Sequence, residues 1–231
     1  MHGIILLAAG SGLRMGNQNK DKILEKIGNS NAFRMCLFAF TEIEQISSIV
    51  VVFRDQDQKE RLQRECIQLT TLDKSKIIYV KGGEQRSDSV TNGLKSLPES
   101  CIFAHIHDSA RPLIRRETIV KMIEEVEKCI PVAVARPATN TIRKRISGST
   151  LFQTETLERN QLWEMETPQS APVSWFREGY AKAKEMNISI TDDMHAIELL
   201  SKEIILLDLG YPNPKITHGH DLKYISSLLK S

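Results

Sequence analysis

Short apolar runs recur along this chain, each bounded by glycine or polar residues and separated from the next by a segment with helical spacing. The first is the most constraining: Ile4-Ile5-Leu6-Leu7-Ala8-Ala9 runs directly into Gly10-Ser11-Gly12-Leu13-Arg14-Met15-Gly16. A short apolar run reads as a strand buried on both faces, and such strands belong to parallel sheets covered by helices on each side. The glycines beyond it let the main chain approach a ligand closely. Backbone N–H groups of such a loop bind phosphate oxygens, and Arg14 adds a fixed charge with a fork of donors. Taken alone, the glycine spacing is equally compatible with a tight strand-to-helix turn.

Further strands are expected over 49–53, 77–80, 102–106, 132–135 and 204–209. Helices are expected over 31–44, 59–69, 117–129, 174–186, 192–200 and 221–229, with one more after Gly82-Gly83, capped by Ser87 or Asp88. Asn31 caps the first helix, and Thr191-Asp192-Asp193 reads as a capped start. Strand alternating with helix predicts a mainly parallel α/β sheet with helices on both faces, joined by right-handed crossovers. Ligands of such sheets collect at the carboxyl ends of the strands, so the segments after each strand are the ones to search.

That search finds a second glycine turn, Gly82-Gly83-Glu84-Gln85-Arg86, and the segment His107-Asp108-Ser109-Ala110-Arg111-Pro112. Asp108 and Arg111 form either a structural ion pair locking the turn or a pair facing a metal or ribose on one side and a phosphate on the other. His105 and His107 share one strand face and, without a third ligand nearby, read as buried, hydrogen-bonded imidazoles. No cluster in the sequence reads as a protein metal site. Lys20, Lys22 and Lys26 follow the glycine loop, and Lys215, lying between Pro212 and Pro214 on one side and an expected strand on the other, has a restrained backbone.

From Arg136 to Gln161 the pattern changes to a polar segment, with 142–146 and 151–154 reading as a two-stranded arm around Ser147-Gly148-Ser149-Thr150. A lone hairpin is marginal in water, so the arm is expected to lean on a second copy of the chain. Arg143-Lys144-Arg145 keeps its exposed edge from aggregating, and Trp163 reads as a packing anchor.

With 231 residues, one core and one domain are expected over the whole chain. A net charge of +2 argues against duplex nucleic acid as a partner, and no apolar run approaches a membrane span. Met1-His2 leads straight into the first strand with no basic-then-apolar leader, so a cytoplasmic location is expected. Cys36, Cys66, Cys101 and Cys129 lack the spacing of a zinc site or redox pair and read as reduced and mostly buried.

Taken in order, several segments together resemble one family, the 2-C-methyl-D-erythritol 4-phosphate cytidylyltransferases. They are Ala8-Ala9-Gly10-x-Gly12-x-Arg14-Met15, Gly82-Gly83-x-x-Arg86-x-x-Ser89-Val90, His107-Asp108-x-Ala110-Arg111-Pro112, Arg159-Asn160-x-Leu162-Trp163, Thr167-Pro168-Gln169, Thr191-Asp192 and Lys215-Ile216-Thr217. The resemblance implies a Rossmann-like nucleotidyltransferase domain whose β-arm, at about 138–160, is exchanged in a homodimer. It implies CTP and a sugar-alcohol phosphate as substrates, with Mg2+ carried mainly on the triphosphate.

By the same resemblance Arg14 and Lys22 stabilise the pentacoordinate transition state, and Arg159 and Lys215 hold the acceptor phosphate for in-line attack. Ala8, Ala9, Gly83, Glu84 and Ser89 contact cytosine beside the loop glycines Gly10 and Gly12. Asp108 lies near the ribose or metal, and Arg111, Thr141 and Thr167 near the acceptor. The chain departs from the family in carrying Asp21-Lys22-Ile23 in place of Pro-Lys-Gln, which leaves Lys20 as a rival to Lys22, and in Asn140 and Ser109.

Other readings stand beside this one. Ribitol-5-phosphate cytidylyltransferases share the loop, Thr-Pro-Gln and Lys-Ile-Thr, but the Arg159 segment and the Ala8-Ala9-Gly10 start look more like the methylerythritol enzymes. A nucleotide-binding regulator without catalysis would keep the loop and lose turnover. An NAD(P) oxidoreductase wants an acidic residue about twenty positions past the loop, whereas here the second core strand ends near Phe53.

Overall fold

In the computed structural model the described residues are 1–10, 21–69, 73–148, 151 and 153–230. The chain opens with β1 (His2–Leu7), a short hairpin of β2 (Lys26–Ile27) and β3 (Ser30–Asn31), and α1 (Ala32–Thr41). Next come β4 (Ile46–Phe53), α2 (Gln56–Gln68), β5 (Ile77–Lys81), α3 (Arg86–Ser96), β6 (Phe103–Asp108), α4 (Arg116–Val126) and β7 (Val132–Pro137). The arm is β8 (Arg143–Ser147) and β9 (Gln153–Thr156), followed by β10 (Trp163–Pro172), α5 (Val173–Glu185), α6 (Asp193–Glu198), β11 (Ile205–Leu207) and α7 (Gly219–Leu228).

The principal sheet has seven strands in the order β11-β7-β10-β6-β1-β4-β5. All neighbouring pairs are parallel except those made by β10, which runs antiparallel to both β6 and β7. The mainly parallel α/β fold is therefore as expected, with one reversed strand that periodicity did not indicate. Glu164, Thr167, Pro168, Gln169 and Ser170 give β10 a polar composition, and Pro168 has no amide to donate to a ladder. Its pairing with β7 shifts register between Met165 and Gln169 and so skips that position.

Alternation along β1 explains how two cores form. Ile4 and Leu6 pack on one side of the sheet with Phe33, Leu37 and Phe40 of α1 and with Ile119, Met122 and Ile123 of α4. Ile5 packs on the other side with Val90 and Leu94 of α3 and Phe176 of α5. Ile4, Ile5 and Leu6 are all fully buried, as a strand covered on both faces requires. Asn31 caps α1 by accepting from the Arg34 amide. The expected caps of α3 are displaced: Gln85 is the cap and Asp88 completes a capping box with it.

β11 is a three-residue edge strand of half-buried residues, not the strong core strand expected over 204–209. β8 and β9 pair only with each other and every described residue of both is exposed, so the arm stands off the body of this chain. Ile146 and Leu151 are 61% and 89% exposed. Trp163, expected as a packing anchor, is 38% exposed at the root of the arm. Cys36, Cys66 and Cys101 are buried and Cys129 is exposed. Among the described residues no helix is long and apolar enough to cross a membrane.

Candidate active site

The carboxyl ends of β1, β5 and β6 open onto a cavity of about 450 Å³. Ala8, Ala9 and Gly10 leave β1, Gly83 to Arg86 and Ser89 follow β5, Asp108 ends β6, and Lys22, Arg54 and Lys215 complete the polar wall. The turn after β5 is glycine by close approach: a Cβ on Gly82 would lie 2.7 Å from Ser89 Oγ and 2.9 Å from Ala9 Cβ. At Gly83 it would meet the Asp88 side chain. The Gly83 amide donates to Ser89 Oγ at 3.1 Å, which fixes the turn against the first residues of α3.

A buried glutamine holds the opposite wall. Gln58 Nε2 donates to Ala8 O at 2.9 Å and to Asp21 Oδ2 at 2.5 Å, while its Oε1 accepts from the Arg54 amide at 2.6 Å. One side chain on α2 thus ties together the exits of β1 and β4 and the segment that carries Lys22.

The charges converge on Asp108. Its Oδ2 accepts from Lys215 Nζ at 2.5 Å and its Oδ1 from Arg86 Nε at 3.4 Å. Burial pushes this carboxyl up, but Arg86 and Lys215 outweigh that and hold it well below the usual carboxylate range, so it stays ionised. Arg86 is itself gripped from behind: Nη1 and Nη2 donate to the two oxygens of Asp193 at 2.9 and 2.7 Å, and Tyr180 Oη donates to Asp193 Oδ1 at 2.6 Å. Burial works against the charge on Arg86, yet Asp193 and Asp108 raise its pKa above the ordinary guanidinium value. Burial and the neighbouring Asp193 keep the Tyr180 phenol protonated.

Gln169 on β10 seats the start of α6, its Oε1 accepting from the Asp193 and Met194 amides at 2.8 and 3.0 Å. A second chain of bonds aligns Asp108. Its amide donates to Thr167 Oγ1, which lies 3.1 Å from His107 Nδ1, and His107 Nε2 lies 3.1 Å from Arg111 O. Read in one direction these bonds require neutral His107, consistent with burial lowering its pKa to about 4.

Of the residues singled out in the sequence, Ala8, Ala9, Gly10, Lys22, Gly83, Glu84, Ser89, Asp108 and Lys215 all line this cavity. Gly12 and Arg14, together with Lys20, lie outside the described residues. Thr167 is buried behind Asp108 and supports its backbone. Arg111 turns away from Asp108, its Nη1 3.3 Å from Glu166 and 2.8 Å from Asn213 O, so the local ion pair read from the turn is replaced by longer-range partners. Thr141 and Arg159 are exposed at the root of the arm, where Arg159 Nη1 donates to Thr139 O. His105 is buried between His2 and Ser170 rather than placed as a ligand.

Arg54 and the pairing of Arg86 with Asp193 were not singled out in the sequence. Arg86 stood inside a motif without a role, and its position opposite Asp108 depends on the packing of α3 against β1, β4 and β5, which sets it beside the end of β6. Asp193 was read only as part of a helix start, although an aspartate right after a cap is a candidate for a buried partner.

A family model described as 2-C-methyl-D-erythritol 4-phosphate cytidylyltransferase matches residues 2–231. Relatives of that name include one from Clostridioides difficile, 32% identical over 99% of this chain and 94% of its own length. Another, from Synechococcus, is 33% identical over 100% of this chain and 98% of its own. The crystal structure of 4-diphosphocytidyl-2C-methyl-D-erythritol synthase from Anaerococcus prevotii superposes with a TM-score of 0.84 at 24% identity, covering 100% of this chain and 98% of that one, and shows a shared fold.

Proposed function

The chain belongs to the 2-C-methyl-D-erythritol 4-phosphate cytidylyltransferase family, and from that premise we propose how the cavity works. The enzyme transfers the cytidylyl group of CTP to 2-C-methyl-D-erythritol 4-phosphate. An acceptor phosphate oxygen bonds to the α-phosphorus as the bond to the bridging oxygen of the β-phosphate breaks, and pyrophosphate leaves. The product is 4-diphosphocytidyl-2-C-methyl-D-erythritol.

Bringing a phosphate dianion against a triphosphate opposes like charges at roughly 4 kcal/mol per unit pair at 4 Å and an effective dielectric near 20. Little covalent work falls to the protein, so positioned cations are its main catalytic device. The observation that carries this reading is the meeting of Lys215 and Arg86 on one ionised carboxylate beside a glycine-built slot. Ala8, Ala9, Gly83, Glu84 and Ser89 form the slot for cytosine, small enough for backbone groups to read a pyrimidine edge. Lys22 and Arg14 meet the charge that develops at the α-phosphorus.

Lys215 takes the acceptor phosphate from its place on Asp108. Arg159 and Thr141 stand on the arm, so their role requires a second copy whose arm reaches over this cavity. The fully exposed arm and its apolar Ile146 and Leu151 support such a homodimer. Arg111 and Thr167 act behind the cavity, orienting Asp108 and the β10 wall.

The carboxylates that line the cavity, Asp108 and Glu84, fit a Mg2+ carried mainly by the nucleotide phosphates, with Asp108 as the ionised protein group nearest to hand. Bound there, Mg2+ neutralises triphosphate charge. Pyrophosphate release across a panel of nucleoside triphosphates, paired with 2-C-methyl-D-erythritol 4-phosphate or ribitol 5-phosphate, tests the reading. Turnover restricted to CTP and the methylerythritol acceptor is expected; preference for the ribitol acceptor, or tight CTP binding without turnover, would replace it.

A further inference from the structure

Arg54 follows directly on β4, at a position where an arginine ordinarily extends into water. Here Nε donates to Asp55 Oδ2 at 2.7 Å and Nη1 donates to Gly10 O at 3.2 Å. The guanidinium is thus held at the mouth of β1, where the main chain turns into the glycine loop, and it forms part of the cavity wall. Its Nη2 makes no hydrogen bond among the described residues.

Behind it lies a carboxylate of unusual placement. The Asp21 side chain is 1% exposed, its Oδ2 accepts from Gln58, and its Oδ1 is buried with no hydrogen-bond partner among the described residues. Arg54 Nη1 is 3.8 Å from Asp21 Oδ2, close enough for charge pairing and too far for a hydrogen bond. Burial pushes the Asp21 carboxyl up, as expected for a group whose compensation is incomplete. A guanidinium with an unused donor, facing a cavity and loosely paired to a buried acid, is arranged to accept a stronger anion.

We propose that Arg54 is a further nucleotide-binding residue, taking a phosphate oxygen of CTP through its guanidinium, and that Asp21 is the buried counter-ion that partly neutralises it until the phosphate arrives. The assignment rests on the reading of this cavity as the CTP site.

Calorimetric titration of the full chain with CTP, CMP and cytidine tests it, using R54A, R54Q and D21N with thermal melting to show that each variant is folded. Both Arg54 variants should bind CTP on the order of 10- to 100-fold more weakly, as loss of a charge-assisted bond predicts, and cytidine unchanged. D21N should bind CTP several-fold more tightly, because Arg54 is no longer partly neutralised. Equal weakening of CTP and cytidine would assign Arg54 to supporting Gly10 alone and overturn the proposal. Unchanged CTP affinity in the Arg54 variants, or weaker binding in D21N, would also overturn it while leaving the CTP reading intact. A wild-type chain that binds no CTP would remove the reading and the proposal together.

Discussion

Lys215 Nζ and Asp108 Oδ2 lie 2.5 Å apart although 107 positions separate them in the chain. The cation is held by a carboxylate that keeps its charge, and in the proposed mechanism an arriving phosphate would have to win it from that partner. K215A should raise KM for the acceptor phosphate and lower kcat, with CTP affinity little changed. Selective loss of CTP binding, read by titration, would contradict the assignment.

R159A should have the same kinetic signature for a different reason, because Arg159 stands on the exposed arm and would serve the other copy's cavity. Mixing inactive K215A and R159A chains should then restore a measurable part of the activity, since one site of each mixed pair keeps both residues. No recovery after mixing and re-equilibration would mean that the arm does not complete a neighbouring site.

Arg14 lies outside the described residues, and a role at the transition state is what the family resemblance implies for it. R14A should lower kcat by about 10²-fold or more while leaving KM for CTP within a few-fold, as for loss of a transition-state donor. Near-normal turnover would remove it from the mechanism.

Asp193 is fully buried and carries both Arg86 and Tyr180. Breaking a buried pair by removing one member costs about 3–5 kcal/mol, which for a domain of this size lowers Tm by roughly 6–20 °C. D193A should show that loss, along with reduced turnover as Arg86 loses its support. A melting temperature unchanged within error would show that the pair contributes little.

G82A should impair CTP binding, because the new methyl group would press on Ser89 Oγ and Ala9 Cβ, both on the wall proposed to take cytosine. Overpacking costs about 1–3 kcal/mol of stability, so Tm should fall by roughly 2–12 °C while KM for CTP rises. Acceptor KM measured at saturating CTP should stay near the wild-type value.

Stability should fall with acidification between about pH 6.5 and pH 4. Burial lowers His105 to about 3 and His107 to about 4, so the unfolded chain takes up protons at these sites before the folded one does. Their contribution is present above the unfolded value near 6.5 and is lost as pH falls toward the folded values. Asp21 and Glu166, raised mainly by burial, act in the opposite direction at the acid end, because their folded forms gain protons first. Urea midpoints at pH 7.5, 6 and 5 check the sign, and a flat profile would count against buried neutral imidazoles.

The sequence reading was most successful where a residue's environment follows from local pattern. Ile4, Ile5 and Leu6 announce a strand covered on both sides, and Gly82-Gly83 announces a close approach, because period and glycine are local signals. Gln58 shows the limit. It sits on a charged helix and looks like a solvated polar residue, but it is fully buried and ties three segments together. Arg54 and Arg86 failed to stand out for the same reason: what makes them part of a site is the partner that folding brings to them. β10 was missed because a reversed strand inside the sheet can be polar where its neighbours' side chains supply hydrogen bonds, as Gln169 and Ser170 find with Asp192 and His105.

The ten residues of β10 begin at exposed Trp163 beside the arm and pass Thr167, whose hydroxyl accepts from the Asp108 amide. Handle and keyhole are therefore cut from one piece of backbone. In the proposed dimer, a twist imposed on the arm would be passed along β10 toward Thr167, so a change at the arm's root would be felt at Asp108.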